Sequence, residues 1–110
     1  MLFDESVPHD VAAATAAAAP EHVVATVQGL GWAGTKNGAL LRAARGAGYE
    51  VLVTTDRNMR HQQNIPASGL AVLVLRARSS RVPDLLAVVP PLLVALSGAA
   101  PGTVTELRGA

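Results

Sequence analysis

Apolar and polar positions alternate along this chain between short β-like runs and longer helix-like segments. "LFDE" (Leu2 to Glu5) reads as a very short first strand, after which Ser6 is positioned to cap a helix with Pro8 in its first turn. The alanine-rich run Val11 to Ala19 continues that helix to Pro20, and "HVVATV" (His22 to Val27) is a β-branched second strand. A glycine-rich turn, "QGLGWAGTKNG", leads into a helix from about Asn37 to Ala47 closed by Gly48. "YEVLVTT" (Tyr49 to Thr55) and "LAVLVL" (Leu70 to Leu75) are apolar without alternation, the pattern of strands buried on both faces. A further helix starts near Pro83 and is kinked or restarted at Pro90-Pro91, and "TVTEL" (Thr103 to Leu107) reads as a last edge strand.

Strand and helix alternate throughout. The pattern therefore predicts an α/β fold, a three-layer α/β/α sandwich around a mainly parallel sheet of four to five strands. At 110 residues the chain suits a single domain over 1–110, and its 50% hydrophobic content is enough for a core. The apolar run Leu85 to Ala100 is broken by Pro90-Pro91 and falls short of the ~18–20 residues that span a bilayer, so no membrane partner is expected. The opening "MLFDES" carries acids where a secretory signal needs basic and apolar residues, and there is no cysteine. Both features predict a cytoplasmic protein.

The parallel sheet gives the candidate chemistry an address, because ligands bind open parallel sheets at the carboxyl ends of the strands, near a reversal in strand order. The predicted strands deliver Asp4 and Glu5, then Thr26 and Gln28, then Thr54, Thr55 and Asp56, then Arg76 and Arg78, with Ser79, Ser80 and Arg81 beyond. Carboxylates facing arginines suit phosphate chemistry: the acids hold Mg²⁺ or Mn²⁺ through oxygen, and the arginines steady an anionic substrate. The net charge of +1 is too small for long-range attraction to nucleic acid, but Lys36 is the only lysine and every other basic residue is an arginine.

Each of these residues also has an ordinary structural reading. Asp56 suits the N-cap of a helix starting near Arg57, Asp4 or Glu5 suits a pair with Arg57 or Arg76, and the arginines suit a solvated rim. His9, His22 and His61 are too scattered for a metal triad, and Trp32 suits a packing plug. A phosphoacceptor receiver would need a lysine after its last strand, whereas Lys36 lies far upstream; phosphate-loop, dinucleotide, nucleophile-elbow and HExxH motifs are all missing.

The segments "LFDESVP", "TVQGLGWAGTKNGALLRAA", "VLVTTDRNMRHQQN" and "LAVLVLRARSSR" together resemble the DUF5615 group of PIN-like proteins, in the right order over nearly the whole chain. The resemblance implies a PIN-like α/β/α fold and a Mg²⁺- or Mn²⁺-dependent ribonuclease, the toxin of a bacterial toxin–antitoxin pair. RNA and an antitoxin-like protein are the partners it implies, and a homodimer stays open. Asp4 matches the first PIN acid and Asp56 the acid after the third strand, with Glu5 beside the first. Asn58 stands where many PIN proteins have a further aspartate, and "KNGA" places Asn37 and Ala39 where another acid is expected. The implied metal ligands are thus Asp4, Glu5, Asp56 and Asn58, with Arg57, Arg76 and Arg78 against the substrate phosphates. The reduced acid set implies an alternative, a weakened or inactive PIN-like module that binds RNA or a protein partner.

Overall fold

A computed structural model describes residues 1–35 and 37–109. Lys36 and the side chain of Asn37, both named above, lie outside the described part. The chain forms a three-layer α/β sandwich around a five-stranded, all-parallel sheet of order β2-β1-β3-β4-β5. The strands are β1 (Leu2–Phe3), β2 (Ala25–Thr26), β3 (Val51–Thr54), β4 (Ala71–Arg76) and β5 (Val104–Arg108). The helices are α1 (His9–Ala18), α2 (Asn37–Gly46), α3 (Met59–Gln62), α4 (Ile65–Ser68), α5 (Val82–Leu86) and α6 (Val89–Leu96). No helix among the described residues is long and apolar enough to cross a membrane.

The continuously apolar β3 and β4 are covered on both sides, and their residues alternate between two cores. Phe3, Val53, Leu73 and Leu75 pack with Val11, Leu85 and Leu92 beneath α1, α5 and α6. Leu2, Leu52, Val72 and Val74 pack with Leu40, Met59 and Ile65 beneath α2, α3 and α4. The first three crossovers share one hand. The β4–β5 crossover steps in the same direction as β3–β4 but carries its helices on the opposite face, so it has the opposite hand, contrary to the strong right-handed preference of parallel sheets. On the α2 face, β5 consequently gains no helix of its own, and both Glu106 and Arg108 are exposed.

Several boundaries differ from the sequence-based expectation. The first strand stops at Phe3 because the Asp4 side chain accepts from the Ser6 backbone N–H at 2.9 Å, turning the chain at once. Ser6 does not cap α1: Pro8 occupies that position without a side-chain cap bond, and the Ser6 hydroxyl is engaged by Asp4. The second strand contracts to Ala25–Thr26 because it pairs only with the two residues of β1, and Val23 is left 75% exposed. The third starts at Val51 rather than Tyr49. Gly48 closes α2 as expected, at φ 89°, with its N–H on the Arg45 carbonyl. The last helical segment breaks at Ala87–Val88, and Pro90 and Pro91 fall in the first turn of α6, where missing N–H donors cost least.

Candidate functional site

The strand order reverses between β1 and β3, the two strands that carry Asp4 and Asp56 at their carboxyl ends. Leu2 pairs with Leu52 and Phe3 with Val53, so the next residues in register are Asp4 and Thr54, on the face covered by α2. Asp4 stays in the ladder through its N–H to the Val53 carbonyl (2.9 Å). Its side chain is nearly buried, at 7% exposure, and both oxygens are engaged. Oδ1 accepts from the Ser6 N–H and hydroxyl, and Oδ2 accepts from the buried Thr54 hydroxyl. The Thr54 oxygen in turn accepts the Asp56 N–H at 3.0 Å, and the Ser6 oxygen accepts the Thr55 N–H at 3.1 Å. A single hydrogen-bonded network therefore joins the two strand ends.

Asp56 is half-buried and forms an Asx turn, accepting the Asn58 N–H through Oδ1 at 2.9 Å. This corrects the capping expectation: the N-cap position of α3 is Asn58, which makes no side-chain cap bond, and Asp56 acts one turn earlier. One carboxylate oxygen does this local work, leaving the second available to a ligand. Asp4, Glu5, Ser6, Thr35, Asp56 and the apolar floor of Leu40 and Met59 line a cavity of about 320 Å³. Glu5 sits at the mouth, its Oε1 accepting the Gly34 N–H at 3.1 Å; Gly34 has φ 88°, a conformation that favours glycine. The Gln28 side-chain amide reaches the Glu5 carbonyl at 3.5 Å. Asn58 is exposed and does not line the cavity.

Burial pushes the Asp4 carboxyl above its ordinary range, the hydrogen bonds from Ser6 and Thr54 pull it down, and the Asp56 charge raises it further. Two carboxylates sharing a partly desolvated cavity form a centre short of positive charge. The donor set consists of hard oxygens, which fits a hard divalent cation such as Mg²⁺ or Mn²⁺ that keeps several waters. Asp4 and Asp56 would hold such an ion, with Glu5 within the same cavity wall. Among the described residues no cluster of three or more His, Cys, Asp or Glu side chains is arranged as a complete metal site.

The arginines do not enter the carboxylate cavity. Arg57, Arg76 and Arg78 line a separate groove of about 530 Å³ with Thr55 and Ser80, and the two depressions meet at Thr55–Asp56–Arg57. The expected pairing of Arg57 or Arg76 with Asp4 or Glu5 is not among the ion pairs of the described residues; Arg76 pairs with Glu106 at 2.9 Å. A fourth arginine, Arg108, also lines the groove, and the sequence pattern does not mark it. It pairs in register with Arg76 across β4 and β5, one residue beyond the predicted end of the last strand. The loop carrying Arg78 is fixed by Ser79, which donates to Asp84 at 2.5 Å and accepts the Arg81 N–H at 3.1 Å. Comparisons with family models, with curated proteins and with solved structures find no match to this chain.

Proposed function

We propose that this protein is a metal-dependent ribonuclease of PIN-like type, with Asp4 and Asp56 as its catalytic carboxylates and Mg²⁺ or Mn²⁺ as its cofactor. The observation that carries the reading is the pair of carboxylates at the strand-order reversal, joined by one hydrogen-bond network and bordered by an arginine groove. A bound divalent ion supplies Lewis-acid polarisation of the phosphodiester and lowers the pKa of an attacking water. The chain's own residues do the remainder. Thr54 and Ser6 hold Asp4 in one orientation, the Asx turn orients Asp56, and Arg57, Arg76 and Arg78 neutralise substrate phosphates. Glu5 is a further oxygen donor at the cavity mouth.

In the test, Mn²⁺-dependent cleavage of single-stranded RNA is measured for the wild type and for the Asp4→Asn/Asp56→Asn double variant. Loss of the cation is worth several kcal/mol of transition-state stabilisation, so the expected fall is on the order of a hundredfold or more. Full cleavage by the purified double variant would refute the proposal.

A second reading is favoured by one observation. Asn58 stands outside the cavity, Ala39 has no donor, and two aspartates with Glu5 are a thin set for a cation that prefers charged oxygens. On that reading the chain is a non-catalytic module that binds RNA or a protein partner. Thermal melting with and without millimolar Mn²⁺ separates the two: an upward shift that vanishes in Asp56→Asn supports the enzyme, and no shift supports the module. In either form the chain is suited to one half of a toxin–antitoxin pair, and a small helix-turn-helix protein encoded alongside it would support that role.

A further inference from the structure

Among the described residues the sheet edge differs on the two sides of the carboxylate cavity. Arg57, Arg76, Arg78 and Arg108 all lie at the tips of β3, β4 and β5. On the other side, the tip of β2 carries Thr26, Gln28 and Gly29. Arg76 and Arg108 are nearest neighbours in a parallel pairing, an arrangement of like charges that disfavours the bare sheet. Glu106 lies on the same face and pairs with Arg76, which is one carboxylate beside two guanidinium groups. No Asp or Glu lines the groove itself among the described residues, and beyond the Arg76–Glu106 pair the lining offers its guanidinium groups no carboxylate.

The lining narrows the class of anion. Leu75 and Leu85, the large apolar residues of the groove, are only 3% and 2% exposed and offer no anchor to the side chains of a protein partner. No aromatic residue lines the groove among the described residues, which removes the stacking platforms by which bases are gripped. What remains is planar, bidentate recognition of successive phosphates.

We infer that this groove holds the backbone phosphates of an RNA strand on the β3–β5 flank of the carboxylate cavity, that Arg108 is one of its phosphate contacts, and that it does not read the bases. The inference rests on the nuclease reading for what lies beside the groove. Binding there requires no metal, so the two can fail separately.

The experiment measures fluorescence anisotropy of labelled twelve-nucleotide oligo(U) and oligo(A) with the full chain in EDTA, over a series of salt concentrations. Up to four phosphate contacts predict a log–log salt slope no steeper than about −3, at about 0.7 per contact on a single strand. The two oligomers should bind within about threefold of each other. Arg108→Ala should lose about 0.7 of the slope, and Arg108→Lys, which keeps the charge, should retain it. Neither variant should melt below the wild type, Arg108 being an exposed edge residue beside a like charge. The inference is overturned if RNA does not bind at low salt, if one base is preferred tenfold, if Arg108→Ala leaves the slope unchanged, or if polyglutamate binds as tightly as RNA. Binding in EDTA without cleavage in Mn²⁺ removes the nuclease reading alone. Cleavage that is indifferent to Arg108 removes the groove alone.

Discussion

The carboxylate cavity and the arginine groove share a sheet edge and almost nothing else. In the cavity Asp4 is nearly buried, both its side-chain oxygens are engaged, and its partners are Thr54 at the end of β3 and Ser6 in the turn after β1. In the groove Arg57, Arg78 and Arg108 are exposed, and Arg76 has Glu106 as its ion-pair partner. Charge placed in a low-dielectric, hydrogen-bonded setting is strongly coupled to folding, whereas charge at a solvated rim is not. The cavity therefore bears on the fold as much as on chemistry, and the groove contributes little to stability.

The sharpest way to break that contrast is to remove Asp4. Asp4→Ala leaves the Thr54 hydroxyl and the Ser6 N–H and hydroxyl without their acceptor and should cost roughly 2 kcal/mol in denaturant unfolding. Asp56→Ala removes one solvent-accessible turn bond and should cost about 0.5–1 kcal/mol. Equal costs would mean that the network does not distinguish the two acids. Next in size is Thr54→Val, which deletes one buried hydroxyl at conserved shape, with an expected loss of about 1.5 kcal/mol.

Smaller again is a pH effect with a definite sign. The Asp4 carboxyl is raised above its unfolded value by burial, so as pH climbs from the ordinary carboxylate range through the folded value the unfolded chain releases its proton first. Stability contributed by this group is full below that window and declines across it. Asp4→Asn should lack that decline when unfolding free energy is compared at several pH values. Mn²⁺ should restore stability above the window, by about 1.4 kcal/mol at ten times its Kd. The smallest effect is expected at the rim, where Glu106→Gln should change stability by less than about 1 kcal/mol because its pair with Arg76 is partly solvated.

Elements buried on both faces were legible in the sequence, and elements shaped by single side-chain bonds were not. β3 and β4 show as unbroken apolar runs because both cores draw on them, and α2 shows its stop at Gly48. The second strand looked longer than it is, since β-branched residues report a preference for extended backbone and not whether a neighbour is long enough to pair with. Asp4 and Ser6 looked like strand and cap, but each satisfies the other, a local competition invisible to periodicity. The convergence of Asp4, Glu5 and Asp56 on one cavity followed from strand ends alone. Arg108 is not legible in the sequence because the apolar pattern of the last strand stops at Leu107; its signal is the register with Arg76, which only the paired sheet reveals.

One bond links the site to the whole chain's assembly. Thr54 reaches Asp4 across fifty residues of sequence, and it does so only because β1 and β3 lie in one particular alignment. A slip of one residue would turn Thr54 to the opposite side of the sheet and bring a side chain of the wrong orientation opposite the acid. Alignment of the strands and competence of the centre are thus a single degree of freedom. A nascent or misfolded chain that has not docked β3 against β1 has no carboxylate centre at all, which would confine any activity of the protein to its correctly assembled form.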